Sequence, residues 1–263
     1  MNRVNFLTIA HTNHTFCSPI SEDKAELLAL LEPIPFYPIL DVGCGKGEFL
    51  IRLCARYNVC GVGVDTNNTF LQTAREQAQL RLPSEQITFI EAAIVDYQPE
   101  YLFSGVLCIG ATHAYGSYRA TLQACSRLVV SGGFVLIAEG YWKREPSSEY
   151  LDFLGASSSI YTTHANNVQL GVEFGFIPLY STVSDNSEWD YYEGLYNPAV
   201  EQYIFTHSND PDAAAMRQNI LQRYEMYLQQ GRDTRLFWIL LVYETIIKIL
   251  KFSLPLLLKQ ALS

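Results

Sequence analysis

Ile39-Leu-Asp-Val-Gly-Cys-Gly-Lys-Gly47 is an aliphatic run that ends in a glycine-rich turn, and a helical pattern follows it directly. The run Ile39 to Gly43 predicts a buried strand, and Glu48 to Tyr57 carries apolar residues on one helical face. Glycines let the backbone turn tightly and leave N–H groups bare for a ligand. We therefore expect a ligand-binding loop between a first strand and a first helix.

Strand and helix patterns alternate along the rest of the chain. Tyr118 to Val130 has helical spacing, and Ser131-Gly-Gly133 after it is interpreted as a helix stop. The strands are aliphatic on both faces, as parallel strands covered by helices must be. The pattern predicts an α/β protein with a Rossmann-like, doubly wound sheet and helical lid insertions. Further strands are expected at 59–65, 87–92, 105–111, 132–140, 176–184 and 236–243.

Composition limits the class of protein. The 263 residues are 49% apolar, which excludes a disordered chain, and the net charge of −9 argues against a nucleic-acid partner. Six cysteines show no Cys-x-x-Cys pair and five histidines show no metal spacing, so no metal is expected. The N-terminus lacks the features of a signal peptide. These observations predict a cytoplasmic protein with reduced thiols.

The spacing of one carboxylate suggests which ligand the loop binds. Asp65 closes the second strand 22 residues after Gly43, where an adenosine ribose would offer two hydroxyls. A dinucleotide site needs a third glycine where Glu48 stands, and a phosphate loop needs Ser or Thr where Gly47 follows Lys46. An adenosine ligand without phosphate and with an amino-acid tail remains, and S-adenosylmethionine fits that description.

Several motifs resemble known proteins. The segments 40–49 (LDVGCGKGEF), 62–67 (VGVDTN) and 131–137 (SGGFVLI) resemble class I S-adenosylmethionine-dependent methyltransferases, and the resemblance covers about 36–142. The segments HTFCSPISEDK, GATHAYG, EGYWKREP and EWDYYE resemble a bacterial subgroup of uncharacterised small-molecule methyltransferases. The resemblance implies a seven-stranded sheet whose last strand is antiparallel, in agreement with the strand count above.

The resemblance also implies a set of cofactor contacts. The methionine and ribose would lie over the loop, the ammonium would be held by an acid and a strand-end carbonyl, and the adenine would follow the third strand. Family members commonly have an acidic residue where this chain has Ala93, and Asp96 lies three residues further on. The implied cofactor-binding residues are Asp41, Gly43, Cys44, Gly45, Gly47, Asp65, Thr66, Asn67, Ala93, Ile94 and Gly110.

The methyl acceptor is expected beyond the carboxyl ends of the strands, where open α/β sheets bind their ligands. His113 and Glu139 follow strands four and five there, and His14 precedes an N-terminal helix that would fold over the cofactor. These three are the candidate catalytic residues, although an exposed loop histidine and a capping segment are structural alternatives. Carboxylates and aromatics near 189–193 favour a cationic or amine acceptor, although aromatic packing is the alternative. The candidate substrate-binding residues are Tyr115, Tyr141, Trp142, Trp189, Tyr192 and Glu193.

The predicted organisation is a methyltransferase domain over 1–243, with a cofactor-binding core at 36–142 and lid and substrate insertions at 143–235. The apolar, basic tail 244–263 is compatible with contact with an anionic membrane, packing on the sheet or a subunit contact. The predicted function is methyl transfer to a small molecule by in-line displacement. A non-catalytic S-adenosylmethionine-binding regulator is the alternative. A nucleic-acid acceptor is disfavoured, because the chain is acidic and has Gly-Ala-Thr-His after strand four.

Overall fold

A computed structural model describes residues 3–29 and 31–244, with side chains from residue 5 to residue 235. Its centre is one seven-stranded sheet in the order β3-β2-β1-β4-β5-β7-β6. The strands are β1 (Ile39–Val42), β2 (Gly61–Asp65), β3 (Ile87–Glu91), β4 (Phe103–Ile109), β5 (Val129–Trp142), β6 (Phe176–Val183) and β7 (Arg235–Glu244).

The strands β1 to β5 run parallel, so the predicted α/β class with a Rossmann-like parallel sheet is confirmed. The strand β7 pairs antiparallel with both β5 and β6. In this register Arg235, the first residue of β7, lies opposite Trp142, the last residue of β5. The start of β7 therefore lies at the same sheet edge as the carboxyl ends of the parallel strands.

Helices cover the sheet and build a separate insertion. The helices are α1 (Arg3–Ala10), α2 (Glu22–Leu28), α3 (Glu48–Tyr57), α4 (Asn68–Arg81), α5 (Tyr118–Leu128), α6 (Ser148–Leu154), α7 (His164–Glu173), α8 (Asn186–Gly194), α9 (Tyr196–Thr206) and α10 (Ala213–Met226). Short helical turns lie at Ile94–Asp96, Thr112–Tyr115, Ser158–Ile160, Tyr227–Gly231 and Arg232–Thr234.

Two apolar clusters show that the central strands are buried on both faces. Leu107 and Leu136 belong to one cluster, whereas their chain neighbours Val106 and Val135 belong to the other. Because successive strand residues point to opposite faces, one cluster lies on each side of the sheet. This burial explains the continuous aliphatic runs in the sequence.

The glycine pair after α5 differs from the prediction. The helix does end at Leu128, but residues 131–133 lie inside β5 and form a bulge rather than a loop that precedes it. The register jumps from Phe103 opposite Val129 to Gly105 opposite Phe134. Gly132 has a φ of +76°, and a Cβ on Gly133 would lie 2.6 Å from the Ser104 carbonyl oxygen. The pair is therefore required by a bulge in close contact with β4.

A third apolar cluster joins the N-terminal helix to the insertion. Phe6 of α1 packs with Val200 of α9 and Ile220 of α10. Within residues 3–29 and 31–244, no helix combines the length and the apolar character that a membrane crossing requires. The predicted tail after Glu244 lies outside the described residues.

Candidate functional site

The glycine-rich loop bends at three residues that occupy the left-handed region. Gly43, Gly45 and Gly47 have φ values of +66°, +54° and +71°. A Cβ on Gly43 would lie only 2.4 Å from the Cβ of Ala111, so the loop passes directly against the turn after β4. Both conditions exclude larger residues at Gly43, and the loop backbone remains bare on its other side.

Asp65 is fixed by the loop that it faces. The Gly45 N–H donates to one carboxylate oxygen and the Asn67 N–H to the other, each at 2.8 Å. Each oxygen keeps a further acceptor position for a ligand hydroxyl. Asn67 in turn caps α4 by accepting from the N–H groups of Thr69 and Phe70, which fixes the turn after β2.

Asp41 is a second acid next to this loop, and it is only 4% exposed. Burial, and to a lesser extent the charge of Asp65, holds the pKa of Asp41 well above its usual range. Two neighbouring carboxyl groups of this kind favour a ligand that carries positive charge. Burial likewise raises the pKa of Cys17 to about 11 and that of Cys44 well above its ordinary value. Both thiols are therefore neutral groups that line the cleft beside the loop.

The N-terminal segment covers the glycine loop, and Lys46 holds it there. The Lys46 ammonium donates to the carbonyl oxygens of His11 at 2.6 Å, His14 at 2.9 Å and Thr12 at 3.1 Å. Residues 15–18 then line a narrow cleft together with the loop and Asp41. The lysine inside the glycine motif is therefore an anchor for the cover.

The histidines of this cover have defined partners. His14 Nε2 donates to the Tyr192 carbonyl at 2.9 Å, while its Nδ1 is buried without a described partner. His11 bonds to the Leu7 carbonyl through Nδ1, and its Nε2 lies 2.9 Å from the Tyr196 hydroxyl. Burial lowers the pKa of each histidine to about 4, so both are neutral near pH 7. His14 does not line the cavity beyond β4 and β5 described next.

A cavity of about 570 Å³ opens beyond the carboxyl ends of β4 and β5. Gly110, Thr112, His113 and Glu139 line it on the sheet side. The Thr112 hydroxyl donates to Glu139 Oε2 at 2.6 Å and the Gly140 N–H donates to Oε1 at 2.8 Å, which fixes the carboxylate. Two of the three predicted catalytic residues, His113 and Glu139, therefore meet in one cavity.

The six predicted substrate-binding residues fall into two groups, those that line this cavity and those that pack elsewhere. Trp189 and Tyr192 line the cavity, whereas the other four do not. Trp142 lies in an apolar cluster and donates from Nε1 to the Ser158 carbonyl at 2.7 Å. Tyr115 and Tyr141 pack against the core clusters, and Glu193 is buried in an ion pair.

The carboxylates that favoured a cationic acceptor are already paired. Arg223 donates two hydrogen bonds of 2.8 Å to the Glu193 carboxylate. Asp190 accepts from Arg232 and from the Tyr227 hydroxyl. The charge argument for a cationic acceptor is therefore wrong, because arginines neutralise both groups.

Sequence analysis missed the arginines of the cavity. Arg119, Arg223 and Arg235 line it together with Tyr161, and the three arginines come from different parts of the chain. Arg235 could have been found, because it immediately precedes the apolar run of an antiparallel last strand and such a strand begins where its neighbours end. Arg223 lies on a helical insertion and has no comparable signal. Among the residues that the structure describes, no group of His, Cys, Asp or Glu has the geometry to bind a metal ion.

Comparison with known proteins identifies the core. Residues 39–133 match a family model described as a methyltransferase domain. Uncharacterized protein YjhP of Escherichia coli K12 is 26% identical over 236 residues, which is 89% of this chain and 95% of that protein. A ubiquinone biosynthesis O-methyltransferase of Alkalilimnicola ehrlichii is 35% identical over 121 residues, or 45% of this chain and 47% of that protein.

A solved structure extends the match to the whole fold. The S-adenosylmethionine-dependent methyltransferase of Geobacter sulfurreducens, in complex with S-adenosyl-L-homocysteine, superposes with a TM-score of 0.85. It is 23% identical, and the match covers 92% of this chain and 98% of that chain. Together with the family match, it confirms the resemblance to class I methyltransferases.

Proposed function

We propose that this chain, which matches a methyltransferase domain model at residues 39–133, binds S-adenosylmethionine and methylates a small-molecule nucleophile. One observation carries the proposal: two half-sites, the glycine loop with Asp65 and the cavity beyond β4, lie at the same edge of the sheet. On one side Asp65 is held by the glycine loop through Gly45. On the other side a cavity begins at Gly110 and Thr112, directly after the neighbouring strand β4.

The acids of the first half-site fit this cofactor. S-adenosylmethionine presents two ribose hydroxyls, an ammonium and a sulfonium. Asp65 has free acceptor positions for the hydroxyls, and Asp41 is a buried acid whose ionised form a positive ligand would stabilise. The Gly110 carbonyl is a second acceptor for the ammonium. The Geobacter sulfurreducens protein of this fold, in complex with S-adenosyl-L-homocysteine, supports the assignment.

The adenine is assigned to the turns after β2 and β3. Thr66 and Asn67 follow Asp65 directly, and Ala93 precedes the helical turn that begins at Ile94. No acidic side chain replaces the one that family members have at Ala93, so backbone groups of Ala93 and Ile94 would bind the ring. The bare glycine loop, with Cys44 between its bends, would lie beneath the methionine and the ribose.

Bound S-adenosylmethionine supplies a methyl group on a sulfonium, and the chain supplies position and a proton acceptor. In an in-line displacement the acceptor's lone pair forms the new bond to the methyl carbon while the carbon–sulfur pair leaves on sulfur. His113, at the cavity wall, would take the proton from a hydroxyl or ammonium acceptor. Glu139, held by Thr112, would orient the acceptor, and the cover would exclude water.

The cavity itself favours an enzyme over a regulator. A protein that only bound the cofactor would not need a further space of about 570 Å³ beside the sulfonium position, with His113 and Glu139 in its wall. The relative named a ubiquinone biosynthesis O-methyltransferase also supports a small-molecule acceptor. The net charge of −9 continues to argue against nucleic acid.

Calorimetry with S-adenosyl-L-homocysteine tests the cofactor half. Asp65→Ala removes the carboxylate that two backbone N–H groups and the ribose share, so we expect an affinity about 10- to 100-fold weaker, as for loss of a charge-assisted hydrogen bond. Asp96→Ala, an exposed acid beyond Ala93, is the matched control and should bind normally. Unchanged affinity in Asp65→Ala would contradict the ribose assignment.

Mass spectrometry with methyl-labelled cofactor tests the transfer. The chain is incubated with pools of thiols, amines, phenols and carboxylic acids, and labelled products are sought. We expect transfer to one class with the wild-type chain and none with Asp65→Ala at low cofactor concentration. Tight cofactor binding without any labelled product would favour the regulatory alternative.

A further inference from the structure

Arg235 brings a positive charge into the acceptor cavity that no described carboxylate pairs with. Its guanidinium lies 5.0 Å from the ring centre of Tyr161 and 5.4 Å from that of Trp189. Its Nε is buried and has no hydrogen-bond partner in the described chain. Aromatic faces stabilise the charge but accept no conventional hydrogen bond. The side chain also hydrogen-bonds with the Tyr150 hydroxyl, so none of these partners carries a negative charge.

Two further arginines line the same cavity, Arg119 and Arg223, and Arg119 is paired with Glu173 at 3.1 Å. The charge of Arg223 acts on Arg235 as a nearby like charge. The two cations differ in their partners, because Arg223 is matched by the bidentate contact with Glu193. The charge of Arg235 therefore has to be balanced from elsewhere.

Glu139 does not fill that role. Its carboxylate acts on Arg235 electrostatically but forms no salt bridge with it among the described residues. Its two oxygens instead accept hydrogen bonds from Thr112 and the Gly140 N–H. The neighbouring hydroxyl groups of Tyr150 and Tyr161 are neutral. The end of the cavity at Arg235 therefore lacks an anion. A bound anion there would reduce the repulsion between the Arg223 and Arg235 guanidinium groups.

We propose that the methyl acceptor carries an oxyanion, a carboxylate or a phosphate, and that Arg235 binds it. This inference rests on the proposed function. The planar guanidinium presents several N–H donors in a fork that matches the oxygens of such a group. Since Tyr161 and Trp189 flank the fork, the part of the acceptor next to its anion is flat or apolar.

The sheet order also gives the acceptor a direction. Gly110 follows β4, Glu139 lies near the end of β5 and Arg235 begins β7, and these three strands are neighbours in that order. Two strand spacings correspond to roughly 10 Å of sheet edge. The nucleophilic atom would lie at the β4 end, near the methyl group, and the oxyanion at the β7 end. A ring with an anionic substituent on one side and a nucleophile on the other fits this arrangement.

The test uses matched probes on the full chain, with and without bound S-adenosyl-L-homocysteine. Benzoate is compared with benzamide, phenyl phosphate with phenol, and benzylamine serves as the cation, with affinities measured by ligand-observed NMR. We expect one of the anions to bind at least tenfold more tightly than its neutral match. The benzoate and phenyl phosphate arms then distinguish a carboxylate from a phosphate.

Variants assign the preference to one side chain. Arg235→Gln should remove the anion preference while cofactor affinity and thermal stability stay near wild type. If that variant fails to fold, Arg235→Lys, which keeps the charge but not the fork, should bind the anion several-fold more weakly. Arg217→Gln, at an exposed arginine of α10 paired with Glu201, is the control and should bind as wild type does.

Two results would overturn the proposal. One is a wild-type chain that binds the anions no more tightly than benzamide, phenol or benzylamine. The other is an anion preference that survives in Arg235→Gln. Failure of the wild-type chain to bind S-adenosyl-L-homocysteine would instead count against the proposed function, and the measurements without cofactor keep the two failures distinct.

Discussion

The proposed cofactor half of the site and the proposed acceptor half differ in what fixes their geometry. Between residues 39 and 142 the geometry comes from the backbone, with left-handed glycines, strand ends and N–H groups bonded to one carboxylate. The acceptor half takes His113 and Glu139 from this same segment, but between residues 143 and 235 its geometry comes from long side chains that reach between helices, such as Arg223 to Glu193. The first half is specified by local sequence, and the second by contacts between residues far apart in the chain.

This difference predicts that damage to one half leaves the other working. The glycine loop is rigid because few backbone conformations allow its bends. A methyl group added at one of its glycines therefore disturbs it. An arginine–carboxylate contact is specific because both partners are required, so the removal of one leaves a charge without its partner. The variants below separate the two kinds of failure.

The largest effect is expected at the buried ion pair of the insertion. Arg223→Met leaves the Glu193 carboxylate, whose side chain is 6% exposed, without its partner. We expect a loss of about 3 to 5 kcal/mol in the free energy of unfolding. The double variant Arg223→Met with Glu193→Gln should recover most of it, as urea unfolding would show.

The same helix provides the control for this prediction. Arg217→Met removes an equally close contact with Glu201, but both side chains are nearly half exposed. Its cost should stay below about 1 kcal/mol. Equal losses for Arg223→Met and Arg217→Met would show that burial of the Glu193 pair contributes little to stability.

Next in size is the backbone of the glycine loop. Gly43→Ala combines a left-handed alanine with a Cβ placed 2.4 Å from that of Ala111, so we expect a loss of about 2 to 4 kcal/mol and of cofactor affinity. Gly45→Ala has a similar φ, but its Cβ would meet only Cys17 Sγ at 3.6 Å. That control should lose about 1 kcal/mol. Similar melting temperatures for the two variants would contradict the close approach to Ala111.

A smaller effect is expected where the two halves meet. If His113 accepts the proton, His113→Ala should slow methyl transfer about a hundredfold. Because His113 lines the acceptor cavity and is not among the residues that line the cleft at the glycine loop, affinity for S-adenosyl-L-homocysteine should change less than twofold. A turnover that is unaltered at every pH would remove this residue from the mechanism.

A pH dependence from Asp41 provides the last test. Its folded-state pKa lies above the unfolded value of about 3.9, so above that pH the folded chain keeps a proton that the unfolded chain loses. The free energy of unfolding without cofactor should therefore fall by up to about 1.4 kcal/mol per pH unit as pH rises toward the folded-state pKa. Asp41→Asn should flatten this slope in urea unfolding between pH 4 and 8.

The pH dependence of cofactor affinity should have the opposite sign to that of stability, again because of Asp41. Ionised Asp41 attracts the ammonium, so affinity for S-adenosylmethionine should rise with pH in the wild-type chain. In Asp41→Asn the affinity should be lower and less dependent on pH. Parallel pH profiles for the two chains would show that Asp41 does not hold the ammonium.

The success of sequence reasoning follows this division between the two halves. The loop, Asp65 and the strands around them could be predicted because glycine bends and apolar periodicity are local signals. The role of Lys46 could not, since its three carbonyl partners lie more than thirty residues earlier in the chain. Glu193 was predicted to bind substrate, because the sequence does not show that Arg223, thirty residues later, reaches it.

Interpretation of residue type alone was least dependable for aromatics. Trp142 and Trp189 are both buried, yet only Trp189 faces the cavity. The sequence pattern around a tryptophan does not distinguish one that packs in a core from one that lines a cavity. The distinction depends on which helix crosses which strand end, and this is a property of the assembled fold.

The anchoring of the N-terminal segment limits how the molecule can be dissected. A fragment cut at residue 36 would keep every strand and glycine of the predicted core but would leave the Lys46 ammonium without the carbonyls of His11, Thr12 and His14. The same cut would strip α1 from the apolar surface that Val200 and Ile220 provide. We therefore expect a fragment without the opening helix to be less stable, and shortened versions for crystallography or screening should retain it.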